Sequence, residues 1–220
     1  MQAGVMISLS AALGIALVAL GMVLTPGPNM IYLVSRTLAQ GRAAGLISLA
    51  GVGVGFVLYI AATALGLVAI FTAVPLLYDV IRVAGAVYLL WLAYQAFRSP
   101  GGGPFTTREL PAHPARKLFT MGLLTNLLNP KVAIIYVSLL PQFIDPSRGN
   151  IAVQGFLLGL VQCAVALTFN SLWVITAGGI AKWLAARPRW VALQRYFMGT
   201  VLGALGLKML FERARPAVSA

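Results

Sequence analysis

Acidic residues are scarce in this 220-residue chain: four Asp and Glu stand against 16 Lys and Arg. Cysteine and histidine occur once each. Each shortage excludes a class of chemistry. A lone cysteine, Cys163, forbids an internal disulfide and any Cys-x-x-Cys redox pair, and reads as a small packing residue. A lone histidine, His113, lies between Pro111 and Pro114 in a polar loop, so no His-based metal site or catalytic triad is available. No catalytic pair stands out among Asp79, Glu109, Asp145, Glu212 and His113. The sequence is therefore read as that of a non-enzyme, with no cofactor and no metal site.

Charge of either sign is also scarce. Only 9% of residues are charged and 60% are apolar, with a mean hydropathy of +0.92. A soluble domain carries about 25% charged residues. The composition is that of an integral membrane protein whose main partner is the lipid bilayer. The net charge of +12 does not point to nucleic acid, because no basic run interleaved with aromatics occurs in a polar segment. The basic residues sit mostly in short loops, where membrane topology is encoded. The first positive charge is Arg36, so the first apolar run lacks a basic n-region and is read as a retained membrane helix, not a cleaved signal.

What is abundant is long apolar runs. Six are predicted: about Val5 to Leu24 with a continuation to Leu38, Ala44–Phe71, Leu76–Phe97, Leu118–Ile144, Ile151–Trp183 and Val191–Phe211. A spanning helix needs roughly 20 residues, so the chain suits one membrane domain over residues 1–220 and leaves nothing for a soluble one. The loops after the first, third and fifth runs hold ten Lys and Arg; those after the second and fourth hold only Arg82 and Arg148. The positive-inside rule then puts the odd loops in the cytoplasm and both termini outside, although Lys208, Arg213 and Arg215 run against it.

The two halves resemble each other. Each offers three runs in the same order, about 5–97 and about 118–211, around a central Pro- and Gly-rich loop at 98–117. In each half the first run is broken by proline and asparagine and continues with a Tyr and a Ser. The second carries spaced glycines: Gly51, Gly53 and Gly55, then Gly155 and Gly159. Three is an odd number, so the second copy must enter the membrane upside down. The expected fold is all-α, six transmembrane helices as two inverted three-helix repeats, a construction typical of secondary transporters.

The breaks are the candidate site. Proline lacks an N–H and clashes with the carbonyl four residues back, so Asn129 and Pro130 free backbone groups near mid-membrane. Lys131 follows directly. A lysine inside a span costs roughly 2.5–3.5 kcal/mol on the insertion scale and is a functional candidate by default. With the adjacent helix start it would favour a carboxylate. Thr25, Pro26, Gly27, Pro28 and Asn29 supply a second helix start, whose depth the sequence leaves open because Val5–Leu24 nearly spans alone. Asn126, Asn170 and Thr168 are intramembrane polar groups that either line a path or join helices, and Gly27, Tyr32 and Tyr136 are further lining candidates. Asp79 is the only acid within a predicted span, near one end, and is the candidate for proton coupling.

"LTPGPNM" near the N-terminus and "TNLLNPKVAIIYVSLLPQFIDP" at the fourth run, with "GAVYLLWLAYQAFR" in the third, resemble the LysE/RhtB family of bacterial amino-acid exporters over essentially the whole chain. The resemblance implies an inner-membrane antiporter that exports amino acids or close derivatives on the proton gradient. It carries the pathway motifs onto Thr25–Asn29 and Asn129–Lys131. One departure is clear: many relatives have a polar or acidic residue and then a histidine after the helix-two glycines, where this chain has Phe56 and Tyr59. With no acid at mid-depth and Lys131 in the path, neutral amino acids are expected over cationic ones. A channel or a metal or ion carrier is the alternative reading. The sequence leaves a homo-oligomer open.

Overall fold

The computed structural model describes residues 6–25, 27–73, 75–98 and 111–185, together with 196, 199–200, 203–204, 206–208 and 210–211 of a last helical stretch. Every regular element among them is helical. In chain order they are α1 (Leu9–Leu24), α2 (Pro28–Gln40), α3 (Arg42–Ala73), α4 (Pro75–Arg98), α5 (Ala115–Leu127), α6 (Pro130–Ile134) and α7 (Ile151–Ala185). A π turn at Ile135–Leu139 and a 3-10 turn at Leu140–Phe143 continue α6, and a second 3-10 turn spans Pro146–Arg148.

Local chemistry sets these boundaries. Ser8 caps α1 by accepting from the Ala11 N–H at 3.1 Å. The Thr25 hydroxyl donates back to the Gly21 carbonyl at 2.8 Å where α1 ends. Pro28 opens α2 at its first position, where a missing N–H costs nothing. Gly41, at φ 85°, closes α2 by donating its N–H to the Thr37 carbonyl and lets α3 start one residue later. The second break mirrors the first: Pro130 takes the first position of α6, and the Asn129 side chain caps it from the Lys131 N–H at 3.0 Å. Pro141 has no N–H to give Val137, and the helix ahead of it widens into the π turn.

Among the described residues, two helices are long and apolar enough to cross a membrane, through Arg42–Gly66 of α3 and Ile151–Ala177 of α7. Two bent pairs join them if each counts as one span: α1 with α2, at 51°, and α5 with Pro130–Phe143, at 46°. That gives two to four spans among the described residues. α4 carries a shorter apolar stretch, Val83–Gln95, and most of the sixth predicted run lies outside the described residues. The polarity is that of a lipid-facing protein. Leu13, Leu17, Val57, Leu65 and Phe156 are exposed, whereas Ser48, Asn126, Gln154 and Gln162 are buried.

The long helices α3 and α7 form the centre and pack on each other. Each also packs on the broken helix of the opposite half, α3 on α5 and α7 on α1 and α2. Glycine makes the first crossing close. A Cβ on Gly51 would strike the Phe119 carbonyl, and one on Gly122 would strike the Ser48 carbonyl, so the α3 and α5 backbones touch. Tyr32 of α2 ties the same junction: its hydroxyl donates to the Leu118 carbonyl at 2.8 Å and meets the Ser48 hydroxyl at 3.1 Å.

Candidate functional site

The two breaks meet. Lys131, only 6% exposed, crosses from the start of α6 to the end of α1, where its ammonium donates to the Thr25 carbonyl at 3.0 Å and, more loosely, to the Met22 carbonyl at 3.5 Å. The last carbonyls of a helix lack intrahelical partners and carry its negative dipole end, so a cation is well placed there. The lysine stem runs over Gly27. A Cβ on that glycine would lie 2.9 Å from Cδ and 3.1 Å from Nζ of Lys131, so only glycine admits the lysine without displacing it. The first break is thereby buried against the second.

A cavity of about 40 Å³ opens beside this contact. On that measure a water needs roughly 10–15 Å³, so the space holds a few waters or a small polar group. Thr25, Gly27 and Asn29 line it from the first break, Asn129 and Lys131 from the second, and Gln162 and Asn170 from α7. Met22, Met30, Phe56, Val132 and Ile135 supply apolar walls. No acid, histidine, cysteine or tyrosine is among the lining residues. Asn29 and Lys131 hold the same position in their helices, directly after the first-turn proline, and both face this space. The Asn170 Nδ2 donates to the Ala166 carbonyl at 2.8 Å, while the side-chain oxygens of Asn29 and Asn170 are buried with no hydrogen-bond partner.

The other expected residues stand as follows. Pro28 and Pro130 are exposed and shape the helix starts without lining the cavity. Asn126 is fully buried against Gly55 of α3 and is not part of the wall; neither end of its amide has a hydrogen-bond partner. Tyr32 serves the α2–α3–α5 junction instead, and Tyr136 reaches the cavity only through Gln162, to whose Oε1 its hydroxyl donates at 2.5 Å. Thr168 is exposed on α7. Pro26 lies outside the described residues, as does the side chain of Asp79 in α4. Phe56 forms part of the wall, while Tyr59 stacks on Tyr136 at 5.3 Å and donates to the Leu127 carbonyl at 2.8 Å. Gln162 is the polar lining residue that sequence reasoning missed, along with apolar ones such as Met22, Met30 and Ile135. Its signal was spacing: Gln162, Ala166 and Asn170 recur every four residues and share one face of α7.

The profile of the LysE type translocator family matches residues 20–213, nearly the whole chain and both breaks. The chain belongs to the LysE type translocator family. It is 27% identical to a leucine efflux protein of Klebsiella pneumoniae subsp. pneumoniae, over 81% of this chain and 84% of that one. It is 29% identical to a homoserine/homoserine lactone efflux protein of Salmonella typhimurium, over 83% of this chain and 88% of that one. No solved structure matches the chain. As a LysE type translocator it is an integral membrane transporter and not an enzyme.

Proposed function

We propose that this translocator exports small neutral amino acids from the bacterial cytoplasm by proton antiport, with the substrate held where the two helix breaks meet. The observation that carries the reading is the lining of that cavity: one cation, Lys131, neutral amides from Asn29, Asn129, Gln162 and Asn170, apolar walls, and no acid. Lys131 takes the substrate carboxylate; a space of about 40 Å³ does not hold a leucine side chain as it stands, so the halves part to receive it against the apolar walls. A lysine or arginine substrate would add a second cation to a low-dielectric space already occupied by an ammonium, with no acid on the wall to meet it, which is costly. The relatives named for leucine and homoserine efflux agree with a neutral substrate.

The architecture that goes with this function is two inverted three-helix repeats in one domain, with the breaks in the first and fourth spans. Reciprocal packing supports it, since α3 lies on the broken helix of the second half and α7 on that of the first. The matching places of Pro28 and Pro130 support it as well. For orientation in the inner membrane, the support is the contact between the first and third loops. Arg36, buried at the end of α2, donates to the Pro111 carbonyl at 3.0 Å, and Gln40 pairs with the His113 backbone in both directions at 3.1 Å. Both segments thus lie at one end of the molecule, the end that the basic loops assign to the cytoplasm, leaving the termini outside.

Competitive efflux tests the reading. Cells overexpressing the protein are loaded with matched dipeptides, and neutral amino acids are expected to appear outside faster than lysine or arginine. Faster export of either cationic amino acid than of any neutral one overturns the selectivity.

A further inference from the structure

We infer that the side-chain oxygens of Asn29 and Asn170 together receive the α-ammonium group of the substrate, so that a free primary amine is required for export. The inference rests on the reading of the cavity as the substrate site and adds a second recognition element to it. Both oxygens belong to residues of the cavity wall, both are buried, and neither has a hydrogen-bond partner. A buried carbonyl oxygen left without a donor is unfavourable, so a pair of them at one cavity calls for a ligand that brings N–H groups. The Asn170 amide has a fixed sense: its Nδ2 donates to the Ala166 carbonyl, and the reversed amide would set oxygen against oxygen. The Lys131 ammonium, the one cation on the wall, is already engaged by the Thr25 and Met22 carbonyls.

The complementarity is then specific. An ammonium offers three N–H donors and can serve both oxygens at once. A hydroxyl offers one donor, and a carboxylate offers none. Lys131, Asn29 and Asn170 all belong to the wall of one cavity, so the same space offers a cation for a carboxylate and amide oxygens for an ammonium, the two ends of a zwitterion. Neutral oxygens also leave no buried negative charge behind once the substrate departs, which suits a carrier that must empty on each cycle. The two acceptors sit on different helices, one in each half of the chain, so the amine would bridge the halves.

The test uses the full-length protein in proteoliposomes, with exchange of labelled leucine and two competitors: unlabelled leucine, and 2-hydroxy-4-methylpentanoate, which carries a hydroxyl in place of the amine. The wild type is expected to prefer leucine by roughly 100-fold or more, since a site built around a donor rejects the analogue that lacks it. In Asn29→Ala/Asn170→Ala the leucine affinity is expected to fall about 10–100-fold while that of the hydroxy acid changes far less, so the preference collapses. Asn29→Asp keeps acceptor oxygens and should keep the preference. Equal losses for both compounds, or an unchanged ratio, overturn the inference and leave the exporter reading standing. Failure of the wild type to exchange any amino acid overturns both. Amide oxygens also ligate sodium, so exchange is repeated with choline as the only external cation. A sodium requirement that disappears in the same variants would assign the oxygens to the ion and overturn the amine assignment.

Discussion

At the residue scale, Lys131 does two jobs with one ammonium. It occupies the last carbonyls of α1 and presents a positive charge to the cavity. Replacing it with alanine removes both, and Lys131→Ala is expected to abolish export while the protein still accumulates in the membrane; normal efflux by that variant would end the assignment. Lys131→Arg keeps the charge but not the shape. A planar guanidinium is larger and forks its donors. The lysine stem already runs so close to Gly27 that a Cβ there would stand 2.9 Å from it. Export by the arginine variant is expected to drop by about tenfold or more, since a displacement of about 1 Å in a tight site costs that much. Asp79→Asn separates proton coupling from binding: if Asp79 carries the proton, the variant loses the dependence of export on external pH, and an unchanged profile removes it from the mechanism.

At the element scale, the α3–α5 crossing is held by bare backbone. Gly51 and Gly122 face carbonyl oxygens that cannot swing aside as a side chain can. Gly51→Leu and Gly122→Leu are therefore expected to lower stability by about 1–3 kcal/mol, read as an earlier thermal transition in detergent. Gly53 faces only Leu167, at an ordinary 3.6 Å, and its alanine variant should be nearly silent. The sequence made the close approach legible but not the difference between these glycines. Spacing marks a helix face, whereas steric tolerance depends on which atom of the partner arrives opposite. The site shows the same division. The breaks were legible because proline and asparagine have no other business in an apolar run, and Lys131 because a mid-run charge is expensive. Asn126 and Asn170 were equivalent as letters, each a polar residue in a span. Only the rotation of α5 and α7 about their axes puts Asn170 on the cavity wall and Asn126 against Gly55. Gln162 shows what proximity in space adds, since its importance comes from Tyr136 and the cavity and not from any neighbour in sequence.

At the scale of the whole molecule, the halves are cross-braced, each central helix leaning on the other half's broken helix. Rocking of one half against the other would open the cavity first to one side and then to the other. A single cysteine placed at Asn129, in a background with Cys163 replaced, is expected to change the side of the membrane from which an impermeant reagent reaches it when substrate is added; accessibility from one side in every state would exclude that motion. The clasp between Lys131 and Thr25 has a further consequence, in time. The two residues are 106 positions apart, and at about 5–20 residues per second the carbonyl is made roughly 5–20 s before the lysine. When the lysine enters the bilayer, its partners are therefore already waiting in the membrane, and the ammonium can pass to them without resting in lipid. A second half synthesised without the first has no such host. Expressed alone from residue 111 onward, the second half is expected to insert poorly, to insert better as Lys131→Leu, and to be rescued by co-expression of residues 1–110. Equal insertion of all three forms would show that the lysine needs no host as it is made.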